Sequence, residues 1–316
     1  MVSYIFPANP LGGHSWTVDD HFSLECATVA GSNPVALLDS YSLGDRIPKM
    51  KIADDFSNPV IYRGWMLTEP EYRRFEAAIT ARGLALATGT ESYMRAHSIR
   101  GWIDSFRDLT APTVLIPANA DRDAILAAAD SIPSEHGFFL KGESKSEHGM
   151  SFAANKEALP ELIRSFLDYS TVTEDGTLAL RSFLPLDHRV AEIRSWWIGG
   201  ELVFSPIHPN FENPELINPL KLSSDLRVSL DTFLDSLRPG IQSLENRFLT
   251  ADIALTESGE WTLIEIGDGQ VSGFSRDYGP QEYSYFYKII SQEIEDSFRP
   301  EDERLFNLMR RVYSEG

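Results

Sequence analysis

Cysteine is almost absent from this sequence, since Cys26 is the only one among 316 residues. A single cysteine cannot form an intrachain disulfide, and it cannot build a cysteine-based zinc site. We therefore expect a chain that folds on hydrophobic cores, in a compartment where thiols stay reduced.

Long apolar runs are also missing. No stretch approaches the roughly 18 consecutive apolar residues that a membrane-spanning helix needs. The first residues, Met1 to Pro7, lack the basic start and the long apolar core of a signal peptide. We expect a cytoplasmic protein with no membrane partner.

Basic residues are few: 28 Lys and Arg stand against 47 Asp and Glu, which gives a net charge of −19. A nucleic-acid-binding surface needs a basic stripe, and the only basic cluster is the short pair Arg310-Arg311. We therefore exclude nucleic acid as a partner.

Several catalytic motifs are missing as well. The sequence has no P-loop, no G-x-S-x-G and no H-E-x-x-H. The segment from Gly267 to Gly273 is one residue too long for a dinucleotide fingerprint, and no helix start follows it. Asp187-His188-Arg189 has the residues of a kinase catalytic loop in the wrong order.

Apolar residues, by contrast, are plentiful at 42% of the chain, with 11% aromatic. That composition and the length predict two or three packed subdomains. Changes in sequence texture place them at residues 1–110, 111–184 and 185–316.

The first segment has β-α-β order, which predicts a parallel sheet with a right-handed crossover. Its predicted elements are strand 2–7, helix 18–30, strand 34–39, strand 59–62, helix 68–83 and an amphipathic stretch at 91–106. Thr68 and Glu71 form the capping box that begins the helix at 68.

The two later segments mix strands and helices in an α+β order. The predicted elements of the second are strand 113–116, helix 121–129, strand 137–141, helix 160–169 and strand 178–184. Those of the third are a hairpin at 194–204 with a primed glycine turn at 199–200, helix 223–237 stopped by Pro239-Gly240, paired strands 248–255 and 261–266, and helix 281–298.

Four cationic residues lie on strands or beside them. Lys141 ends a strand and precedes a polar loop that carries Lys145, while Arg181 and Arg194 lie on later strands. Taken singly, the lysines are equally explained as solvated loop residues, and Arg194 as a surface partner of Glu192.

Two carboxylates stand inside the apolar strands of the last hairpin, Asp252 on one strand and Glu265 on the other, and Asp268 follows. Carboxylates in such strands are seldom buried without a partner. Converging carboxylates suit Mg²⁺, and nearby cations would neutralise a triphosphate that this acidic chain otherwise repels. The pattern therefore predicts a local, metal-bridged nucleotide site.

These residues support a resemblance to a known family. The hairpin from Ala251 to Gly273 resembles the metal-binding hairpin of the ATP-grasp superfamily, and Lys141, segment 180–185 and segment 192–194 precede it in the order that superfamily uses. The resemblance spans roughly residues 1 to 300. It implies an ATP-grasp fold of mixed α/β and α+β class, in which an N-terminal pre-ATP-grasp α/β domain precedes two α+β lobes that clasp ATP.

The resemblance also implies how the nucleotide is bound. Lys141 would contact ATP from the first lobe, and Lys145 would lie in the loop that covers the phosphates and assist catalysis. The connection between the lobes would bind adenine, and Asp187 the ribose. The residues of that connection are Arg181, Ser182, Phe183 and Leu184, with Ser182 at a position that is often acidic in the family.

Metal and substrate residues follow in the same way. Asp252, Glu265 and Asp268 would hold Mg²⁺, with Asp268 replacing the Asn that the family commonly has where this chain has Gly267. Arg194 would face the phosphates or an acyl phosphate as a catalytic and substrate-binding residue. Arg63 ends a strand of the N-terminal domain, where α/β sheets bind ligands, and is a candidate contact for a substrate carboxylate. The remaining substrate-binding candidates are Ser272 and Gly273.

By this resemblance the chain is expected to be an ATP-dependent carboxylate–amine ligase that uses ATP and Mg²⁺ and releases ADP and phosphate. A small-molecule kinase on the same scaffold and a non-catalytic nucleotide-binding protein stay open as alternatives. The expected partners are small-molecule or peptide carboxylates and amines. The sequence names neither substrate and leaves the oligomeric state open, a homodimer included.

Overall fold

A computed structural model describes residues 1–9, 16–44, 48–144, 151–169, 176–209, 222–274 and 278–298. Within these residues, twelve strands form three four-stranded sheets. The strands are β1 (Ser3–Pro7), β2 (Val35–Asp39), β3 (Lys49–Lys51), β4 (Val60–Tyr62), β5 (Thr113–Pro117), β6 (Phe138–Gly142), β7 (Phe152–Ala153), β8 (Thr177–Ser182), β9 (Ile193–Ile198), β10 (Glu201–Phe204), β11 (Phe248–Leu255) and β12 (Trp261–Asp268). Each sheet takes its strands from one of the three predicted segments, and the exact boundaries between the segments stay a prediction.

Eight α-helices accompany the sheets in the described part of the chain. They are α1 (Ser23–Ala30), α2 (Glu69–Thr80), α3 (Thr90–His97), α4 (Ile99–Trp102), α5 (Arg122–Asp130), α6 (Leu159–Tyr169), α7 (Ser224–Ser243) and α8 (Pro280–Ser297). None of the helices in these ranges combines the length and the apolar character that crossing a bilayer requires.

The first sheet has the strand order β3-β2-β1-β4. Strand β1 runs parallel to β2 and to β4, which confirms the predicted parallel sheet. The short edge strand β3 pairs antiparallel with β2 and was not predicted, because Lys49-Met50-Lys51 lacks an apolar run. The capping box of α2 is present as predicted, with the Thr68 N–H donating to Glu71 Oε2 at 2.8 Å.

Helices from distant parts of the chain cover the first sheet. On one face, Tyr4 and Phe6 pack against Tyr287 and Ile290 of the C-terminal helix α8. The Tyr4 hydroxyl and Ser291 Oγ are 2.7 Å apart on the same interface. On the other face, the apolar side chains of β4 pack against α2. The last helix of the fold therefore covers its first sheet.

The second sheet is antiparallel, with the order β5-β8-β6-β7, and α5 and α6 pack against it. Strand β8 lies between two neighbours and is buried along its whole length. It ends at Ser182, two residues before the predicted end at 184. The chain turns there because the Phe183 N–H donates to the Gly137 carbonyl at 3.0 Å.

The third sheet is also antiparallel, with the order β10-β9-β11-β12. One of its faces is apolar and packs against α7 and the α3–α4 region. Its other face carries aromatic side chains and then charged ones. Strands β9 and β10 form the predicted hairpin, and Gly199 and Gly200 have φ values of 59° and 85°. Two positive φ angles are what a primed turn requires.

Two helix predictions need correction. Helix α7 does not stop at Pro239-Gly240 but continues to Ser243. The prolonged helix buries Ile241 and fits Gly240 against the ring of Phe106, so tertiary packing outweighs the local breaker signal. The stretch 91–106 is not one helix, because the extended backbone of Ser98 separates α3 from α4, and a 3₁₀ turn follows at 103–106.

Candidate functional site

Strands β9, β11 and β12 bring three predicted charged residues into one row. Arg194 lies opposite Asp252, and Asp252 lies opposite Glu265. Directly opposed residues of antiparallel strands project to the same face, so all three side chains leave the sheet on one side. The register shifts at Ile264, because Asp252 pairs with Glu265 whereas Ile253 pairs with Leu263.

Arg194 and Asp252 form a two-pronged ion pair. Arg194 Nε donates to Asp252 Oδ1 and Nη2 donates to Oδ2, both at 2.8 Å, while Nη1 donates to the Gly273 carbonyl at 3.1 Å. Burial alone would raise the pKa of Asp252, but Arg194 and His208 hold that pKa well below its usual range. Asp252 is therefore an anion with its charge compensated.

A second ion pair joins the second sheet to the third. Lys141 Nζ lies 2.7 Å from Glu265 Oε1. The lysine is buried, whereas the Glu265 side chain is 32% exposed. Each of the two carboxylates that we predicted as metal ligands thus has a cationic partner, and Glu265 also reaches solvent.

Two further residues that the sequence analysis did not predict belong to this cluster. Glu192 directly precedes β9, and burial followed by the Asp252 charge raises its pKa to about 8. His208 follows β10 and donates its backbone N–H to the Glu192 carbonyl at 2.8 Å. Its Nε2 contacts Arg194 Nη2 and lies 3.4 Å from Asp252 Oδ2.

The sequence held a signal for one of these two residues and none for the other. Glu192 is two positions from Arg194, the spacing that places strand residues on one face. His208 lies in a loop whose path no local pattern fixes.

Arg181 connects the second and third sheets. It is buried and donates to Thr113 Oγ1 at 3.2 Å, to Thr110 Oγ1 at 2.5 Å and to the Ile264 carbonyl at 2.8 Å. Burial lowers the pKa of Arg181 to about 10, with Glu265 acting in the opposite direction. The guanidinium thus satisfies the carbonyl at the register shift that immediately precedes Glu265.

The predicted connection between the lobes leaves β8 at Ser182. The Ser182 hydroxyl donates to the Pro133 carbonyl at 2.6 Å. The Phe183 ring makes an edge contact with Phe152, and Leu184 is half-buried. The Ser182 side chain is engaged within the protein, while those of Phe183 and Leu184 are partly accessible.

Asp187 lies beyond the predicted connection and accepts two side-chain hydrogen bonds from Arg189, at 2.8 and 2.7 Å. These bonds lower the pKa of Asp187 to about 2. The Arg189 side chain is largely exposed, so the pair lies at the surface.

Asp268 does not join the carboxylate cluster, although the sequence analysis predicted it as a metal ligand. It is three residues beyond Glu265 and projects from the opposite face of β12. Its carboxylate is fully buried and accepts hydrogen bonds from Asn246 Nδ2 at 2.8 Å and from the Gln270 N–H at 2.9 Å. Burial raises the pKa of Asp268 to about 6.

Ser272 and Gly273 border the cluster on the side of β11. Ser272 Oγ lies 2.8 Å from Thr250 Oγ1, and Thr250 is two residues from Asp252 on the same face. The Gly273 carbonyl accepts from Arg194, so this segment is in direct contact with the charged row.

Arg63 is not placed to meet a substrate. It is fully buried, and its Nη2 donates to Glu25 Oε2 at 3.0 Å while its Nη1 donates to the Gly269 carbonyl at 2.5 Å. Its guanidinium also lies over the Phe274 ring, 5.1 Å from the centroid. The predicted substrate contact is corrected to an internal anchor between α1, β4 and the loop after β12. Lys145, the other predicted cation, lies outside the described residues.

The cluster can therefore bind cations and anions in one place. Arg194 and Lys141 supply positive charge, Asp252 and Glu265 supply oxygen ligands, and Glu192 and His208 add a third carboxylate and an imidazole nitrogen. Such a set suits a charged ligand that arrives with a divalent cation.

Solved structures with this architecture extend over almost the whole chain. The D-cycloserine synthetase DcsG is 13% identical, with 93% of this chain and 99% of that chain covered and a TM-score of 0.59. A RimK domain ATP-grasp protein from Sphaerobacter thermophilus is 12% identical, with coverage of 94% and 99% and a TM-score of 0.59. The D-alanine–D-alanine ligase from Coxiella burnetii is 10% identical, with 99% of both chains covered and a TM-score of 0.58. These identities show a shared fold.

No curated protein matches this sequence. A family model of the ATP-grasp domain, the third family of its clade, matches residues 121–288, which is more than half of the chain. The match contains Lys141, Arg194, Asp252 and Glu265. The chain has the ATP-grasp fold and belongs to this clade family of ATP-grasp domain proteins.

Proposed function

We propose that this protein is an ATP-dependent carboxylate–amine ligase, which forms an amide or peptide bond through an acyl phosphate and releases ADP and phosphate. The observation that carries the proposal is the meeting of Lys141 and Arg194 with Glu265 and Asp252 where the second and third sheets face each other. The names of two structural relatives, a D-cycloserine synthetase and a D-alanine–D-alanine ligase, support the same class of reaction.

In this proposal the nucleotide lies between the second and third sheets. Lys141 and Lys145 contact its phosphates, and the backbone from Arg181 to Leu184 borders the adenine. Asp187 accepts from the ribose hydroxyls, because its partner Arg189 is exposed and can be displaced at little cost.

Asp252 and Glu265 are the residues that would hold Mg²⁺, because this hard cation prefers carboxylate oxygens and both groups lie on one face of adjoining strands. When bound, Mg²⁺ neutralises phosphate charge and orients the terminal phosphoryl group. Arg194 and Lys141 lie against the same carboxylates, so they are within reach of the phosphates and can share in neutralising them.

The cations also favour a carboxylate as the phosphoryl acceptor. Arg194 binds a planar anion through two parallel hydrogen bonds, as its contact with Asp252 illustrates, and a neutral alcohol offers no such match. An acyl phosphate hydrolyses readily in water, so the amine must be held beside it in a closed cleft. These requirements together indicate a ligase rather than a phosphotransferase.

The proposal is tested with hydroxylamine in place of the unidentified amine. The protein is incubated with Mg·ATP, hydroxylamine and pools of ¹⁸O-carboxylate amino acids and short peptides. We expect acid-dependent release of ADP and phosphate in equal amounts, formation of a hydroxamate, and transfer of ¹⁸O from the acid to the phosphate.

Glu265→Gln is the matched control, because it removes the charge with little change of shape, and it should abolish both products. Release of AMP and pyrophosphate would contradict the proposal. Phosphate that stays on the organic product, with no hydroxamate, would indicate the small-molecule kinase instead.

A further inference from the structure

Glu192 has no part in the proposed roles, although it lies in the centre of the cluster. Its side chain is about nine-tenths buried. Among the described residues, no hydrogen bond reaches its carboxylate. A buried carboxylate without a donor is costly, and such a group in a native site calls for an explanation.

Glu192, His208 and Asp252 each direct one ligand atom into the same small volume. These three atoms lie within 4.8 Å of one another. Two protein ligands of one zinc-like ion lie no more than about 4.4 Å apart, since each is about 2.0–2.2 Å from the metal. A small rotation of one side chain therefore brings the three atoms to coordinating distance.

The contact between Arg194 and His208 fixes the character of the imidazole. A guanidinium only donates hydrogen bonds, so His208 Nε2 must accept, and its lone pair points into the cluster. A metal ion would use the same lone pair. Arg194 also binds both oxygens of Asp252, so the cation that these donors hold in this structure is the Arg194 guanidinium.

We propose that Glu192, His208 and Asp252 form a site for a divalent transition-metal ion of the zinc, cobalt or manganese class, and that the Arg194 guanidinium competes with the metal for these donors. Imidazole nitrogen combined with two carboxylates favours such ions over Mg²⁺, which prefers oxygen ligands alone. The site shares Asp252 with the proposed magnesium site but adds two residues to it. It does not require that the protein be a ligase.

The test uses Co²⁺ alone, with untagged protein and no nucleotide. Arg194→Gln removes the competing charge, and we expect it to bind one Co²⁺ at least about tenfold more tightly than wild type, because the metal compensates a buried carboxylate that has lost its partner. The visible ligand-field band of Co²⁺ reports a bound imidazole. Arg194→Gln/His208→Gln and Arg194→Gln/Glu192→Gln should lose the band or bind far more weakly.

Two matched controls accompany these variants. Arg189→Gln removes an exposed arginine that is also paired with an aspartate, and it should leave Co²⁺ affinity as in wild type. His188→Gln removes an exposed histidine, and it should not alter the band in the Arg194→Gln background.

Wild type and His208→Gln keep the test valid if Arg194→Gln does not fold. At saturating Co²⁺, wild type should show a weak site with the same band, and His208→Gln should show none. The proposal is overturned if no band appears in any folded protein, if the band survives His208→Gln, or if wild type binds Co²⁺ as tightly as Arg194→Gln. Because no ATP is present, these outcomes are independent of the ligase assay.

Discussion

The ammonium of Lys141 and the carboxylate of Glu265 belong to different sheets, and their ion pair predicts a specific loss. In Lys141→Met the side chain keeps its apolar stem and loses its charge. We expect ATP affinity to fall by about tenfold or more, or ~1.4 kcal/mol, because a buried cation no longer meets the phosphates. Calorimetry measures the affinity. Lys156→Met, which removes an exposed lysine paired with Asp130, should bind ATP as wild type does.

Arg63 predicts the opposite behaviour, a loss of stability. In Arg63→Gln the buried Glu25 carboxylate loses its ion-pair partner. The free energy of unfolding should fall by roughly 3–5 kcal/mol, as measured by urea denaturation. The exposed pair of Arg73 and Glu69 supplies the control, since Arg73→Gln should cost less than about 1 kcal/mol. A stable Arg63→Gln with weakened substrate binding would restore the substrate contact predicted from the sequence.

Some of the site could be predicted from single residues, and some could not. Asp252 and Glu265 stand in the apolar strands of one hairpin, so the two-residue strand period and a tight turn suffice to bring them together. The same period misplaced Asp268, because a residue three positions away faces the other side. Glu25, the partner of Arg63, lies 38 residues from it on a helix, and no local pattern links the two.

At the level of elements, Pro239-Gly240 illustrates how packing overrides local preference. Gly240 lies inside α7 against Phe106, and a Cβ there would be 2.6 Å from a ring carbon. Gly240→Ala should therefore destabilise the protein by roughly 1–3 kcal/mol, although alanine is the better helix former. Thermal unfolding checks this change.

Gly31→Ala is the control for Gly240→Ala. Gly31 follows α1 with a helical backbone, and its nearest atom would lie 3.7 Å from the added Cβ. This variant should be neutral or slightly stabilising. Equal effects of the two substitutions would show that propensity, and not the contact with Phe106, governs the helix.

At the level of the whole molecule, a buried polar network joins the first sheet to the third. Gln270 Nε2 donates to Tyr72 of α2 at 2.6 Å, and the Gln270 N–H donates to Asp268. Glycine- and polar-rich segments of this kind carry no periodic pattern, so the sequence predicted the three groups of strands but not how they are joined.

The network predicts a pH dependence of stability. Burial raises the pKa of Asp268 to about 6, above the value of about 3.9 in an unfolded chain. The folded state therefore binds this proton more tightly. Its contribution is complete below about pH 4 and is lost as the pH rises to about 6, at about 1.4 kcal/mol for each pH unit.

Urea denaturation at a series of pH values measures this contribution. Asp268→Asn should lack this component, so its free energy of unfolding should fall less steeply than that of wild type between these pH values. Asp235→Asn, at an exposed position of α7, should follow wild type. Parallel curves for wild type and Asp268→Asn would contradict the assignment.

The packing of α8 on β1 has a consequence for biosynthesis. Strands β1, β2 and β4 leave the ribosome first, but the face that carries Tyr4 and Phe6 stays uncovered until residues 286–290 have been made. During translation of roughly 200 intervening residues, at about 5–20 residues per second, that apolar face is open to other chains. A nascent chain of this protein is thus a substrate for a holdase chaperone for ten seconds or more, and translation speed across the middle of the message becomes a determinant of yield.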